Sequence, residues 1–135
     1  MFLKQFSRVL DSPLVLVLDS DPDSLFLMNE MVTLCGSVAL TAQDGATALR
    51  WVDEYQPALI VTELVLPKVD GFAVVERIRS TNNSVPIVAL TSLPAYLFYE
   101  RAWRTGCNAY IEKPCPIEQL QTVIHRYLDR TLSPF

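Results

Sequence analysis

Four side chains of complementary chemistry stand at equivalent places in this chain. Asp19, Glu63, Thr91 and Lys113 each close or follow a short apolar run: Leu14 to Leu18, Leu59 to Glu63, Ile87 to Leu90 and Ala109 to Glu112. If those runs are parallel strands of one sheet, their carboxyl ends bring two acids, a hydroxyl and an ammonium to one surface, where open α/β sheets collect ligands. The set has the logic of a phosphoryl-acceptor site. Carboxylates would hold a divalent cation, one carboxylate would act as nucleophile, and the hydroxyl and lysine would grip phosphoryl oxygens.

The elements that must position these residues alternate five times. Asp21-Pro22 suits an N-cap and a first helical position, and Leu25, Met28, Val32 and Cys35 then share one face before Gly36 stops the helix. Val38 to Leu40 is a second strand, and Asp44-Gly45 opens a helix bearing Ala48, Leu49 and Val52. After Glu63 the chain breaks at Pro67 and Asp70-Gly71 into a helix with Phe72, Val75 and Ile78. A helix from about Pro94 to Thr105 ends at Gly106, and the last helix aligns Leu120, Val123, Ile124, Tyr127 and Leu128. Apolar strands alternating with helices predict an α/β fold: a single doubly wound parallel sheet of five strands flanked by five helices.

Bulk properties narrow the function. The 135 residues suit one domain, and half are apolar, which argues against disorder. With 11 basic against 15 acidic residues and a net charge of −4, there is no footprint for nucleic acid. No apolar run reaches the ~18–20 residues of a membrane span. Cys35, Cys107 and Cys115 lack zinc or C-x-x-C spacing and read as small buried residues of a reducing compartment, and His125 reads as a solvated side chain. Residues 1–12 read as an amphipathic extension, with Phe2, Phe6, Val9 and Leu10 on one helical face that docks on the domain or on a second copy. Residues 13–130 form the domain and 131–135 a loose tail.

The order of motifs resembles the receiver domain of two-component response regulators, the CheY-like family. An acidic cluster follows strand one, an acid-x-x-x-Pro-x-x-Asp-Gly loop follows strand three, Thr91 follows strand four and Lys113-Pro114 follows strand five. The resemblance implies a flavodoxin-like sheet of strand order 2-1-3-4-5, residence in a bacterial cytoplasm and a signalling rather than enzymatic role. It also assigns positions: Asp19, Ser20 and Asp21 to the acidic pocket, Glu63 to the phosphoacceptor, Thr91 and Tyr110 to the switch, Lys113 to the phosphate contact and Pro114 to a cis peptide. Any Mg2+ would rest on Asp19, Glu63 and Val65.

Two positions depart from the family pattern. Ser20 stands where a second acid is usual, and Glu63 stands where the acceptor is an aspartate. The extra methylene of Glu63 moves its carboxylate by about one C–C bond, and in-line transfer tolerates shifts of ~1 Å poorly. Ser20 removes a negative oxygen from a site for a hard cation. The expectation is therefore no cofactor or weakly bound Mg2+, little or no aspartyl-type phosphorylation, and an ion pair between Glu63 and Lys113. Asp21 reads as a helix cap. Asp19 either satisfies backbone donors and Lys113 or keeps a residual cation role.

The helix before Gly106 carries more aromatics than one buried face needs. Ala95, Phe98, Ala102 and Thr105 share one side, while Tyr96, Tyr99 and Trp103 form a second stripe. Exposed Tyr and Trp mark interfaces, and in receivers this helix, strand five and helix five form the usual dimer or partner face. The reading is a stand-alone atypical receiver acting by protein–protein contact, with a kinase, another regulator, an effector or a second copy as partner. Its rivals are a Mg2+-dependent phosphoryl acceptor using Glu63 and a small-molecule module, for which no Gly-rich phosphate loop speaks.

Overall fold

The computed structural model describes the backbone of residues 12–132 and the side chains through residue 128. The predicted N-terminal extension, apart from Ser12, lies outside the described residues, as do the last three residues of the tail.

The elements run β1 (Leu14–Leu18), α1 (Pro22–Leu34), β2 (Val38–Ala42), α2 (Gly45–Tyr55), β3 (Leu59–Thr62), α3 (Gly71–Thr81), β4 (Ile87–Thr91), α4 (Ala95–Thr105), β5 (Ala109–Glu112) and α5 (Ile117–Leu132). All strand pairs are parallel, in the order β2-β1-β3-β4-β5. The predicted architecture and order are those observed.

The strand sequences are apolar at nearly every position because both faces of the sheet are covered. Successive side chains alternate between the faces. Leu16, Leu18, Ile60, Ile87 and Ala89 meet Val52 of α2, Phe72, Val75 and Ile78 of α3 and Ala102 of α4. Val15, Val17, Val61, Val88 and Leu90 meet Leu25, Met28, Met31 and Val32 of α1 and Leu120, Ile124 and Leu128 of α5. Two cores therefore clamp a rigid sheet, and only its strand ends are free to do chemistry.

Three helices start on aspartates. Asp21 accepts the Asp23 N–H, Asp44 the Thr47 N–H and Asp70 the Phe72 N–H, each satisfying a donor that the first helical turn leaves orphaned. Gly71 is required where it stands, because a Cβ there would collide with the backbone of Leu64. That contact, with the Gly71 N–H donating to the Leu64 carbonyl at 3.2 Å, folds the loop after β3 back under the site.

Four predicted boundaries move. β2 runs on to Ala42, paired with Leu18, and β4 to Thr91, paired with Glu112. β3 ends at Thr62 rather than Glu63, because the Glu63 side chain turns to accept the next two backbone N–H groups instead of extending the strand. α5 continues to Leu132, two residues into the predicted tail. Cys107 is buried and Cys35 and Cys115 are half-buried, while His125 is exposed. Among the described residues no helix is long and apolar enough to cross a membrane.

Candidate functional site

The parallel register delivers Asp19, Glu63, Thr91 and Lys113 to one end of the sheet. Asp19 follows β1, Glu63 follows β3, Thr91 ends β4 and Lys113 follows β5. Asp19 and Glu63 are buried, at 5% and 6% exposure, and Thr91 is fully enclosed. Lys113 reaches between the two acids, its Nζ 2.7 Å from Asp19 Oδ2 and 3.2 Å from Glu63 Oε1.

Every oxygen of the two carboxylates has at least one donor. Asp19 Oδ1 accepts the Asp21 N–H at 3.0 Å. Glu63 Oε2 accepts the N–H groups of Leu64 at 2.7 Å and Val65 at 3.0 Å, and Oε1 accepts a longer bond from the Ser92 N–H. Burial raises the Glu63 pKa, but the Thr91 hydroxyl, the Val65 and Leu64 N–H groups and the Lys113 ammonium outweigh it, leaving the carboxyl below its ordinary value. Lys113 mirrors this: burial disfavours its charge, and Asp19 and Glu63 hold its pKa above the usual lysine value. Glu63 and Lys113 are both charged at neutral pH.

Beyond the trio the predicted residues divide. Asp21 is fully used as the α1 cap, its Oδ1 accepting the Asp23 N–H and its Oδ2 the Ser24 hydroxyl. Ser20 is half-buried and adds no charge. The Tyr110 hydroxyl donates to the Leu93 carbonyl at 2.7 Å, and burial with the nearby Glu112 and Glu63 charges pushes its pKa up to about 12. Thr91 Oγ1 also accepts the Leu93 N–H at 3.2 Å. The Lys113–Pro114 peptide is cis.

Residues 15–125 match the response regulator receiver domain. The chain belongs to that family. A CheY-like receiver protein of Methanospirillum hungatei superimposes with a TM-score of 0.83 over 89% of this chain and 96% of that one, at 19% identity, a likeness of fold. PrrA of Mycobacterium tuberculosis, a transcriptional regulatory protein, is 34% identical over 88% of this chain and 51% of its own. The receiver thus spans about half the length of that relative. An uncharacterised 14.6 kDa protein of Leptolyngbya boryana is 30% identical over 84% of this chain and 88% of its own length.

Phosphorylation of receivers uses Mg2+, and the donors here do not fit that ion. Mg2+ demands near-octahedral oxygens at ~2.0–2.1 Å and keeps its waters reluctantly shed. The oxygens of Asp19 and Glu63 already accept N–H groups or the ammonium, Ser20 supplies no acid, and Asp21 turns away to cap its helix. Among the described residues no cluster of three or more histidine, cysteine or carboxylate side chains is placed to hold a metal.

The three residues of the aromatic stripe lie on the solvent side of α4, as the stripe pattern predicts. Tyr96, Tyr99 and Trp103 are 87%, 54% and 60% exposed, while Phe98 stacks on Phe72 and Ala102 is buried. Tyr99 touches Tyr110 at a ring distance of 6.2 Å, so the stripe meets the switch position. Three contacts were invisible in the sequence. Glu112 of β5 accepts the Ala95 N–H at 2.8 Å and caps α4, which has no capping side chain of its own. Arg101 pairs with Asp70 at 2.9 Å and lies over the Phe72 ring. Arg79 donates to the carbonyls of Asn82, Val85 and Gly106 and to the Asn108 amide. All but the Asn82 and Val85 contacts join distant parts of the chain, and no local spacing encodes them.

Proposed function

We propose that this protein is a receiver that signals through protein contact without passing through an acyl phosphate. The observation that carries this reading is the Glu63 carboxylate, both oxygens of which have a donor. It takes hydrogen bonds from Leu64, Val65 and Thr91 and faces Lys113, and Thr91 and Lys113 stand at the positions that the family pattern gives to the phosphoryl contact. A fixed anion at this place substitutes for a transient one, and the domain stays in one state.

The switch positions support that view. Thr91 is engaged with Glu63 and Leu93, and Tyr110 is tied to the Leu93 carbonyl beneath Tyr99. Glu63 is thereby connected through β4 and its loop to the exposed stripe of Tyr96, Tyr99 and Trp103. That stripe on α4, with β5 and α5, is the proposed face for a kinase, another regulator, an effector or a second copy. The role is non-enzymatic and cytoplasmic, without direct nucleic-acid contact, and Val65 holds no metal with Asp19 and Glu63 beyond weak Mg2+.

The test is incubation with Mg2+ and a small amidophosphate donor, read by intact mass. No phosphoryl adduct is expected on the natural protein, whereas Ser20→Asp/Glu63→Asp gains one that disappears without Mg2+. A Mg2+-dependent adduct on the natural protein that is lost in Glu63→Gln would overturn the proposal and make Glu63 an unusual acceptor.

A further inference from the structure

Beside the strand ends, α1 and α5 leave a groove of about 490 Å3 that the signalling reading does not use. Small-molecule sites occupy about 300–1,000 Å3 and combine apolar walls with a few convergent polar groups. This groove has both. Its floor is made by Met28 and Met31 of α1, Leu90 of β4 and Leu120 of α5, all buried. Its rim carries Leu27 of α1 and Ile117 of α5, which are 55% and 50% exposed.

The polar groups belong to the neighbouring strand ends. Asp19, Ser92 and Lys113 line the groove, so it is continuous with the strand-end site. An ammonium has three donors, and Lys113 turns its own to Asp19 Oδ2 at 2.7 Å and Glu63 Oε1 at 3.2 Å. One donor remains, on a side chain that is 26% exposed. An anion arriving there would meet two carboxylates as well as one cation. A neutral acceptor such as a carbonyl oxygen takes the remaining donor without that repulsion.

The walls narrow the rest of the ligand. The α5 wall, from Ile117 to Leu120, is one helical turn and spans ~4.5 Å. A docked helix uses anchors at i, i+3, i+4 and i+7, spread over about 10.5 Å, so that wall is too short to seat one. Met28 and Met31 are unbranched and polarisable, and such side chains adapt to a ring and make favourable sulfur–aromatic contacts. A neutral ligand also needs no Gly-rich phosphate loop, and none follows β1.

We propose that the α1–α5 groove binds a small neutral molecule with an aromatic body and one carbonyl group, its rings against Met28, Met31 and Leu120 and its carbonyl oxygen on the Lys113 ammonium. This site goes beyond the protein-contact reading and does not depend on it.

The test is titration of the full chain with three related probes, read by methyl NMR: benzophenone, diphenylmethane, which lacks the carbonyl, and diphenylacetate, which is an anion. Benzophenone is expected to shift the methyl signals of Leu27, Met28, Met31 and Ile117 saturably. It should bind roughly tenfold more tightly than diphenylmethane, the factor for one hydrogen bond to a charged group, and more tightly than diphenylacetate. Ile117→Trp, which fills the opening from a half-exposed position, should diminish the shifts of the other three residues. No saturable shift with benzophenone, or shifts confined to Tyr96, Tyr99 and Trp103, would overturn the proposal. Equal affinity for diphenylmethane would do the same, since Lys113 would then contribute nothing. So would groove methyls that move with protein concentration before any probe is added, which would assign the groove to a second copy.

Discussion

At the strand ends, Asp19, Glu63 and Thr91 are no more than 6% exposed, and each carboxylate oxygen has a donor. On α4, joined to β4 by a short loop, Tyr96, Tyr99 and Trp103 are at least 54% exposed and present three large rings to solvent. A working phosphoryl switch would leave its polar site open to an ion and a donor. Here the two carboxylates and the hydroxyl are buried, and the aromatic stripe is open. Under the proposed function, the aromatic stripe is the surface through which the domain signals, and the strand-end site is its fixed support.

The sharpest way to break that comparison is Lys113→Met. Removing the ammonium leaves Asp19 and Glu63 facing each other with their charges uncompensated, and breaking a buried pair from one side costs about 3 kcal/mol. The urea midpoint should fall accordingly, and adding Glu63→Gln should recover part of the loss. An unchanged midpoint would mean that water, not Lys113, balances the carboxylates.

Phe98→Ala comes next. Phe98 shares α4 with the exposed stripe but stacks on Phe72 and packs against the core. Truncating a half-buried ring should cost about 2 kcal/mol, below the range for a fully enclosed one.

A smaller effect is expected from pH. Glu63 has a lowered pKa in the folded state, so its contribution is complete above the unfolded carboxylate value and is lost as pH falls through the folded one. Lys113 is raised, so its contribution is complete below the unfolded lysine value and is lost as pH rises through the folded one. Stability should therefore be flat across neutral pH with a limb at each end. Glu63→Gln should flatten the acid limb at a cost of about 1 kcal/mol at neutral pH. An acid limb of the same depth in that variant would place the titration elsewhere.

Much of this was legible because the chain is locally consistent. Continuous apolar runs announced a doubly covered sheet, the Asp21, Asp44 and Asp70 caps marked three helix starts, and Gly71 marked the turn below Glu63. The strand order came through the family resemblance, since periodicity alone does not say which strands are neighbours. The site was legible as a set of residues but not as a circuit. The residue types suggested a Glu63–Lys113 pair, yet the shorter contact of Lys113 is to Asp19, which depends on how β1 and β5 face each other across β3 and β4. Glu112 capping α4 and Arg79 gathering the carbonyls around Gly106 depend on tertiary approach in the same way.

The smallest effect sharpens the comparison most. Tyr96→Ala and Trp103→Ala each remove a large ring from the helix that carries Phe98, yet their side chains lie mainly in water. Substitutions away from the core change stability by within ~0.5 kcal/mol. The expected urea midpoints therefore match the natural protein, four or more times closer than Phe98→Ala does. If either variant instead loses as much as Phe98→Ala, its ring is holding the domain together, and the stripe is structural. If both keep the midpoint, the chain maintains two large exposed rings that its own fold does not need, which is what a surface reserved for a partner requires.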